Sequence, residues 1–264
     1  MKMYISILTL AWACLFSSQN LHAQEDEQGY AFIEYMKVKP GMMDEYLECE
    51  AVWKLIHQYR IKAGLIEGWE LEQVMLPRGT GTEYDFLTVT HYKSWDDMGQ
   101  EATWYDAALK TLPADKRKIA ENAEIYRDIV KTEIWAAGDM AFEENGTSRP
   151  RFIVDNYMKI PAGGWEDWIE METGLVKPVH KKNIAAGNRA GWVMAFLVLP
   201  RGDGLPYQAS TMDFYHSWED MNNDEGAAWE TVYPEMSEAY AGRRIESTRT
   251  LVRTEVRMLV DFAE

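Results

Sequence analysis

The sequence contains very little cysteine. Only Cys14 and Cys49 occur among its 264 residues, and loss of an N-terminal segment would leave Cys49 alone. A single cysteine cannot form an internal disulfide, so the fold must depend on core packing. A hydrophobic content of 47%, with 11 tryptophans, is enough to build such a core.

Basic residues are scarce relative to acidic ones. The chain has 27 Lys and Arg against 43 Asp and Glu, a formal net charge of −16. This balance repels phosphate backbones, so we predict no nucleic-acid partner. After the N-terminal segment, no apolar run approaches the roughly 20 residues of a membrane helix, so we also predict no membrane span.

Sequence motifs for known reaction types are missing as well. The chain contains no nucleophile motif, phosphate loop, dinucleotide fingerprint or zinc pattern. We therefore predict no metal and no cofactor from motifs. Whether the protein is an enzyme stays open at this point.

The N-terminal segment has the layout of a secretory signal peptide. A cationic start, an apolar run over residues 5–16 and small residues near position 23 match that pattern over residues 1–23. We expect an exported protein, periplasmic or extracellular. Two alternatives are a lipoprotein cut before Cys14 and a buried N-terminal helix.

The chain repeats itself at an offset of 123 residues. Residues 54–98 align without a gap on residues 177–221, with 19 identities in 45 positions. Such a repeat predicts two copies of one domain. We expect a signal peptide at 1–23, a first domain at 24–142, a linker at 143–150 and a second domain at 151–264.

Each copy has the pattern β-α-β-β-α-β. In the first copy, strands are expected at 30–38, 68–76, 85–92 and 127–135, with an amphipathic helix at 43–63 and a more polar helical stretch at 114–126. This order is that of a ferredoxin-like unit, whose sheet has helices on one face only. We therefore predict an α+β fold in which two ferredoxin-like sheets pack together as an α/β barrel within one chain.

The element order resembles that of the dimeric α/β-barrel superfamily, which includes antibiotic-biosynthesis-monooxygenase, stress-responsive and NIPSNAP-type domains. The chain also resembles secreted bacterial proteins of unknown function that contain the same short sequence motifs. The residues that carry the resemblance are Val52-Trp53-Lys54, Ile56-His57, Ile61, Gly64, Trp69, Tyr84-Asp85-Phe86 and Thr88-Val89. The resemblance implies a fold; the superfamily includes oxygenases, isomerases, haem-handling enzymes and proteins without catalysis.

The last strand of each copy carries charged residues on one face. We expect Lys131 and Glu133, and likewise Arg253 and Glu255, to point between the sheets and to line a polar cavity there. Tyr92 and Tyr215, on the third strand of each copy, are expected to add hydroxyls to the same cavity. The alternative is that these acids and bases only form ion pairs at the interface.

The second candidates are His57 and His180, which occupy matching positions late in the first helix of each copy. A neutral histidine there could act as a base, a proton shuttle or a ligand. In the second copy, Gly174 and Pro178 are expected to kink this helix. The alternative is a structural histidine packed on the sheet.

Two further pairs are weaker candidates. Arg78 and Arg201 follow a proline in a glycine-rich turn, where they could hold an anion or simply be solvated. Trp69 and Trp192 could wall a flat ligand or fill the core.

The leading hypothesis is an exported barrel, a pseudo-dimer within one chain, that binds a small, partly apolar ligand between its sheets or under the first helix. One alternative is a cofactor-independent oxygenase or isomerase with His57 and His180 as general bases, or a haem-handling variant. The other is a structural or interaction module with a solid interior.

Overall fold

The computed structural model describes residues 29–99, 103–144, 148–222 and 226–264. The predicted signal peptide and Cys14 lie outside these ranges, as does the middle of the predicted linker. No helix of the described residues is long and apolar enough to cross a membrane.

Eight strands form within these ranges, close to the positions expected from the sequence. The largest difference is the fourth, which was expected to end at residue 135 and extends to residue 142. The strands are β1 (Tyr30–Val38), β2 (Gly68–Leu76), β3 (Phe86–Tyr92), β4 (Arg127–Phe142), β5 (Phe152–Lys159), β6 (Gly191–Leu199), β7 (Ala209–Tyr215) and β8 (Thr250–Ala263).

The helices follow the strands in the expected order. They are α1 (Met43–Lys62), α2 (Trp95–Met98), α3 (Thr103–Thr111), α4 (Ala114–Ala120), α5 (Trp165–Glu170), α6 (Lys177–Ala185), α7 (Gly226–Val232) and α8 (Glu238–Thr248). Two short 3₁₀ segments lie at Ala123–Ile125 and Glu219–Asn222, and a π-helical turn at Met171–Val176 joins α5 to α6.

All eight strands belong to one closed antiparallel barrel, in the order β1-β3-β2-β8-β5-β7-β6-β4. The α+β class and the barrel are confirmed, but the two sheets are not separate layers. The long strands β4 and β8 continue past their own halves, so β4 pairs with β6 and β8 pairs with β2. Edge pairing satisfies backbone groups that two stacked sheets would leave open.

Helix α1 packs one face on the outside of the barrel. Its buried residues recur at three- and four-residue steps, as an amphipathic helix requires: Tyr46, Cys49, Glu50, Val52, Ile56, His57 and Arg60. Asp44 and Glu45 lie in the first turn, where they complement the helix dipole. His57 and Arg60 therefore share the face that meets the sheet.

The corresponding helix of the second half contains the π-helical turn. A π turn holds one more residue than an α turn, which suits the residue inserted between the two halves of the sequence. As a result Glu172 is buried like Glu50, and His180 is buried like His57. Pro178 lies in the first turn of α6, where its missing N–H breaks no helical bond.

The third strand of each half faces the other way from our expectation. Leu87 and Val89 pack in the barrel core with Tyr35 and Trp135. Because side chains alternate along a strand, Tyr92 points outward, toward α1. The prediction that Tyr92 and Tyr215 line the barrel interior is wrong in this respect, since Tyr92 contacts Arg60 of α1.

Candidate functional site

The predicted site residues fall in four separate places. His57, Trp69 and Tyr92 lie under α1, and His180, Trp192 and Tyr215 lie in the corresponding place under α6. Lys131, Glu133, Arg253 and Glu255 lie inside the barrel, and Arg78 and Arg201 are exposed.

Inside the barrel, Glu133 is at the centre of a closed hydrogen-bond cluster. Its carboxylate accepts from the hydroxyls of Tyr35 and Tyr207, each at 2.7 Å, and from Trp135 Nε1 at 3.0 Å. Lys131 Nζ donates to Glu133 at 3.3 Å and to the Tyr207 hydroxyl at 2.6 Å. Every partner comes from the protein itself.

Glu255 has a similar set of partners. Tyr84 donates to Glu255 Oε1 at 2.5 Å, and Arg253 lies 3.2 Å from the same carboxylate. Arg253 also lies over the ring of Tyr157, 4.6 Å from its centroid. We call these residues, together with the Glu133 cluster, the barrel plug.

The geometry of the plug favours the ion-pair alternative over a polar cavity. Lys131, Glu133, Arg253 and Glu255 are absent from the walls of both cavities described below. Their charges form ion pairs within the barrel, although Glu255 Oε2 and Arg253 Nε have no hydrogen-bond partner among the described residues. Their role in ligand binding stays a prediction.

A cavity of about 570 Å³ lies between α1, the outer face of the sheet and helices α3 and α4. Its size is in the range of small-molecule sites. Four large aromatic side chains form much of its wall: Trp53, Trp69, Trp104 and Tyr105. We call it the α1 cavity.

His57 lies deep in the α1 cavity. Its ring stacks on Trp69, with centroids 5.1 Å apart and planes inclined by 12°. Arg60 Nη1 lies 3.1 Å from His57 Nδ1, and Arg60 Nη2 donates to the Tyr92 hydroxyl at 2.6 Å. The guanidinium also lies 4.2 Å from the ring centroid of Trp104.

These contacts fix the protonation of His57. Burial, and then the charge of Arg60, hold the pKa of His57 well below its usual value, so the ring is neutral. An arginine can only donate, so Nδ1 must accept and the ring proton is on Nε2. His57 therefore offers a hydrogen-bond donor, and a role as general base would require Arg60 to leave.

Arg60 is a buried cation without a direct ion pair among the described residues, although its charge acts on the carboxyl of Glu34 across the same cavity. Arg60 is 6% exposed. No carboxylate of the described residues lies within 4.0 Å of its guanidinium, and its Nε has no hydrogen-bond partner among them. Buried charges are normally paired, since desolvation costs several kcal/mol. Arg60 was missed from the sequence because the second copy has Asn183 at that position.

In the site under α6, the buried arginine is paired with a carboxylate. His180 stacks on Trp192 with centroids 5.1 Å apart, and Arg189 contacts His180 Nδ1. Arg189 also donates to the Tyr215 hydroxyl at 3.0 Å and to Asp213 Oδ1 at 2.8 Å. Asp213 thus forms a direct ion pair with Arg189, which Arg60 does not have among the described residues.

The position of Asp213 corresponds to Thr90 in the first half, at the offset of 123 residues. Thr90 is buried and lines the α1 cavity. The two sites therefore share a histidine, a tryptophan, a tyrosine and an arginine. They differ in where an acid lies, since the first has Glu34 and Thr90 where the second has Asn156 and Asp213.

Carboxylates at the α1 cavity have separate environments. Glu50 forms an ion pair with Arg127 at 2.9 Å, and burial raises the pKa of Glu50 to about 7 against the opposing effect of that arginine. Glu34 accepts from the Thr88 hydroxyl at 3.3 Å, and burial raises its pKa. Three rim acids are exposed: Glu121, Glu124 and Asp128.

Arg78 and Arg201 lie in exposed turns and do not border the α1 cavity. Arg201 donates from Nε to the Val198 carbonyl at 2.9 Å, which is a local turn contact. The solvated-turn alternative describes both residues, and their predicted role in binding an anion has no supporting contact.

Haem, which the superfamily resemblance raised, does not fit His57 or His180. A haem ligand needs a free lone pair on a ring nitrogen, usually with the other nitrogen donating to an acceptor. In His57 and His180 an arginine contacts Nδ1, which reverses that arrangement.

Metal-ligating groups do not cluster in the described ranges either. No set of three or more His, Cys, Asp or Glu side chains there comes close enough to hold an ion.

Comparison with known proteins shows similarity in structure alone. No protein-family model matches the sequence, and no curated protein matches it. The fold is similar to that of a candidate monooxygenase from Fusobacterium nucleatum, with a TM-score of 0.55 and 7% identity over 90% of this chain and 95% of that one. It is also similar to a mutant chlorite dismutase from Candidatus Nitrospira defluvii in complex with cyanide, with a TM-score of 0.51 and 13% identity over 88% and 91%.

Both neighbours belong to the dimeric α/β-barrel superfamily, which confirms the predicted resemblance in fold. Identities this low show the fold and say nothing of activity. Function must be argued from the site itself.

Proposed function

We propose that the protein binds a small, flat, partly apolar molecule in the α1 cavity, with one anionic oxygen of that molecule on Arg60. The observation that carries this proposal is the buried guanidinium of Arg60 with no carboxylate of the described residues in direct contact. Asp213 supports it, because in the other site a carboxylate occupies the corresponding place beside Arg189.

The walls define the rest of the ligand. Trp53 and Tyr105 stack on each other with centroids 5.8 Å apart, and Trp104 lies beside them, so an aromatic body has flat apolar surfaces to contact. The Nε2–H of His57 provides a second donor for the ligand oxygen. The exposed acids at the rim disfavour a ligand with several negative charges, so a monoanion fits best.

The test uses benzoate and its neutral isostere benzamide. Isothermal titration on the full chain should show benzoate binding at least about tenfold more tightly than benzamide. Arg60→Met should remove this preference, and Arg243→Met, which removes an exposed arginine on α8, should keep it. Equal binding of both probes, or an unchanged preference in R60M, would refute the proposal.

A proton-transfer enzyme is the second candidate, and Glu34 is the observation that favours it. Its carboxyl lines the same cavity and its raised pKa brings it closer to the range of a general base. Glu34 would remove a proton from a quinol-like substrate, and Arg60 and His57 would stabilise the resulting phenolate. Dissolved oxygen would then accept two electrons and two protons, which gives the quinone and hydrogen peroxide. Oxygen uptake with a quinol panel should exceed autoxidation and be lost in Glu34→Gln. Equal rates with and without protein would exclude this activity for the panel.

We also propose that the chain is exported and arose by tandem duplication. The signal-like residues 1–23, and the repeat of sequence and element order, support these two points. N-terminal sequencing of protein from a periplasmic fraction should begin near residue 24, whereas full-length cytoplasmic protein would contradict export. Separately expressed halves should each self-associate through the strand edges that β4 and β8 now cover; monomeric halves would argue against a duplicated barrel unit.

A further inference from the structure

A second cavity, of about 380 Å³, lies inside the barrel, further along β4 and β8 than the barrel plug. Its wall is mostly apolar and includes Ile33, Val89, Val193, Ala195, Met212 and Phe214. The proposed function above does not use this space. We call it the barrel cavity.

The floor of the barrel cavity holds two carboxylates and one guanidinium. Arg257 lies between Glu72, at 3.2 Å, and Asp155, at 2.8 Å, and all three residues are at most 3% exposed. The Ser210 hydroxyl donates to Asp155. The floor therefore carries one more negative charge than positive charge when both acids are ionised.

Glu72 is the incompletely matched member of this group. Glu72 Oε2 has no hydrogen-bond partner among the described residues, although Arg257 lies near it, and the buried hydroxyl of Tyr157 also has none. Unsatisfied buried groups beside an open volume indicate that something from outside completes them. Burial, opposed by Arg257, raises the pKa of Glu72 to about 7.

At the mouth of the barrel cavity, Glu70 is directly paired, and the other mouth acid, Glu67, is exposed to solvent. Glu70 accepts from Arg149 and lies 3.6 Å from His91 Nε2. Although burial acts to raise it, the contacts with His91 and Arg149 lower the pKa of Glu70 to about 2. Among the described residues that line this cavity, the buried carboxylate oxygen without a hydrogen-bond partner is therefore Glu72 Oε2, at the floor.

We propose that the barrel cavity binds a small organic cation, a protonated primary amine with an apolar body, whose ammonium group contacts Glu72. Trp135 and Tyr157 line the cavity near the floor and offer aromatic faces to the cation. An ammonium group brings both a positive charge for the floor and hydrogen-bond donors for Glu72 Oε2. The apolar wall accepts the rest of the molecule.

The test compares three probes of similar size on the full chain: 2-phenylethylamine, the neutral 2-phenylethanol and the anion 3-phenylpropanoate. Isothermal titration at pH 7 in about 0.15 M salt limits binding to the acidic surface. The amine should bind at least about tenfold more tightly than the alcohol.

Two variants distinguish amine binding at the cavity floor from general attraction of the amine to the acidic protein surface. Glu72→Gln keeps the shape of the side chain and should reduce amine binding to the level of the alcohol, with alcohol binding unchanged. Asp115→Asn, which removes an exposed carboxylate on α4, should keep the amine preference. Thermal unfolding of each variant checks that it is folded.

Equal binding of amine and alcohol, no binding of the amine, or an amine preference that survives in E72Q would each overturn the proposal. The benzoate titration with R60M is a separate measurement on a separate cavity. Failure of either proposal can therefore be distinguished from failure of the other.

Discussion

The two arginines beside the stacked histidines allow a matched test of charge pairing. Arg189→Met removes the guanidinium 2.8 Å from Asp213, whose carboxylate stays buried at 9% exposure. Breaking a buried ion pair from one side costs about 3–5 kcal/mol, because the remaining charge is left without a partner. R189M should lower the free energy of unfolding by about that amount.

Arg60→Met should behave differently. It removes the contacts to His57 and Tyr92, about 0.5–1.5 kcal/mol each, and the cation–π contact with Trp104, about 0.5–2 kcal/mol. These losses are offset because a buried charge, whose desolvation costs several kcal/mol, is removed as well. Met and Arg have similar helix propensities, so α1 itself is unaffected. We expect a net change within about 1 kcal/mol.

Urea unfolding followed by tryptophan fluorescence measures both variants on one scale, provided that the slope against urea is unchanged. The two free energies of unfolding should differ by roughly 3 kcal/mol. Equal losses in R60M and R189M would show that Arg60 is already compensated within the protein. The physical reason for an anionic ligand would then be gone.

Three further predictions concern single sites. Thr90→Asp should be more stable than Thr90→Asn by about 1–2 kcal/mol, because the new carboxylate pairs with Arg60 as Asp213 pairs with Arg189. For the same reason it should bind benzoate at least about tenfold more weakly than Thr90→Asn. Identical unfolding curves for the two variants would contradict this. Because the pKa of Glu72 is raised to about 7, its stabilising contribution is present below about pH 4.5 and is lost as the pH rises to about 7. The free energy of unfolding of Glu72→Gln should therefore rise by about 1–3 kcal/mol relative to that of the wild type between pH 5 and pH 8. Parallel curves of stability against pH would refute the shift. Titration with haem should give no shifted Soret band, whereas a band lost in His57→Ala would show that Arg60 yields to a haem ligand.

Much of the fold follows from local pattern in the sequence. The spacing of apolar residues places α1 within one residue of its observed end, and the Pro-Arg-Gly turns separate the strands correctly. The end of β4 could not be predicted, because Ala136–Phe142 forms a strand only by pairing with β6 from the other half. Pairing partners that are distant in the chain leave no local signal.

The sequence did not show which face of each third strand points into the barrel. In β3 every residue except His91 is buried, so alternation between polar and apolar residues does not show which side faces the barrel. Thr88 and Tyr92 are polar enough to suggest a cavity between sheets, yet they meet α1. A one-residue change in phase reverses every side chain, and a sequence without a solvent-exposed face does not fix that phase.

Comparison of the two copies found His57 and Trp69 but hid Arg60. The second site takes its arginine from Arg189, outside the helix, so Arg60 has no matching residue in the repeat. Its position three residues after His57 on a helix face was the available signal. Residues that are identical in both copies showed what the two sites share. The proposed function rests on what differs between them, the direct ion pair that Arg189 has and that Arg60 does not have within the described ranges.

The most direct test of the proposed site is the arginine side-chain region of the ¹H–¹⁵N spectrum during a titration with benzoate. The Nε–H of Arg60 has no hydrogen-bond partner in the part of the chain that the structure describes, and its signal can be assigned by its absence in R60M. The proposed function predicts that this signal shifts downfield and saturates with the benzoate affinity, while that of Arg189 does not move. A stationary Arg60 signal at saturating benzoate, or an equal shift of both arginines, would contradict it.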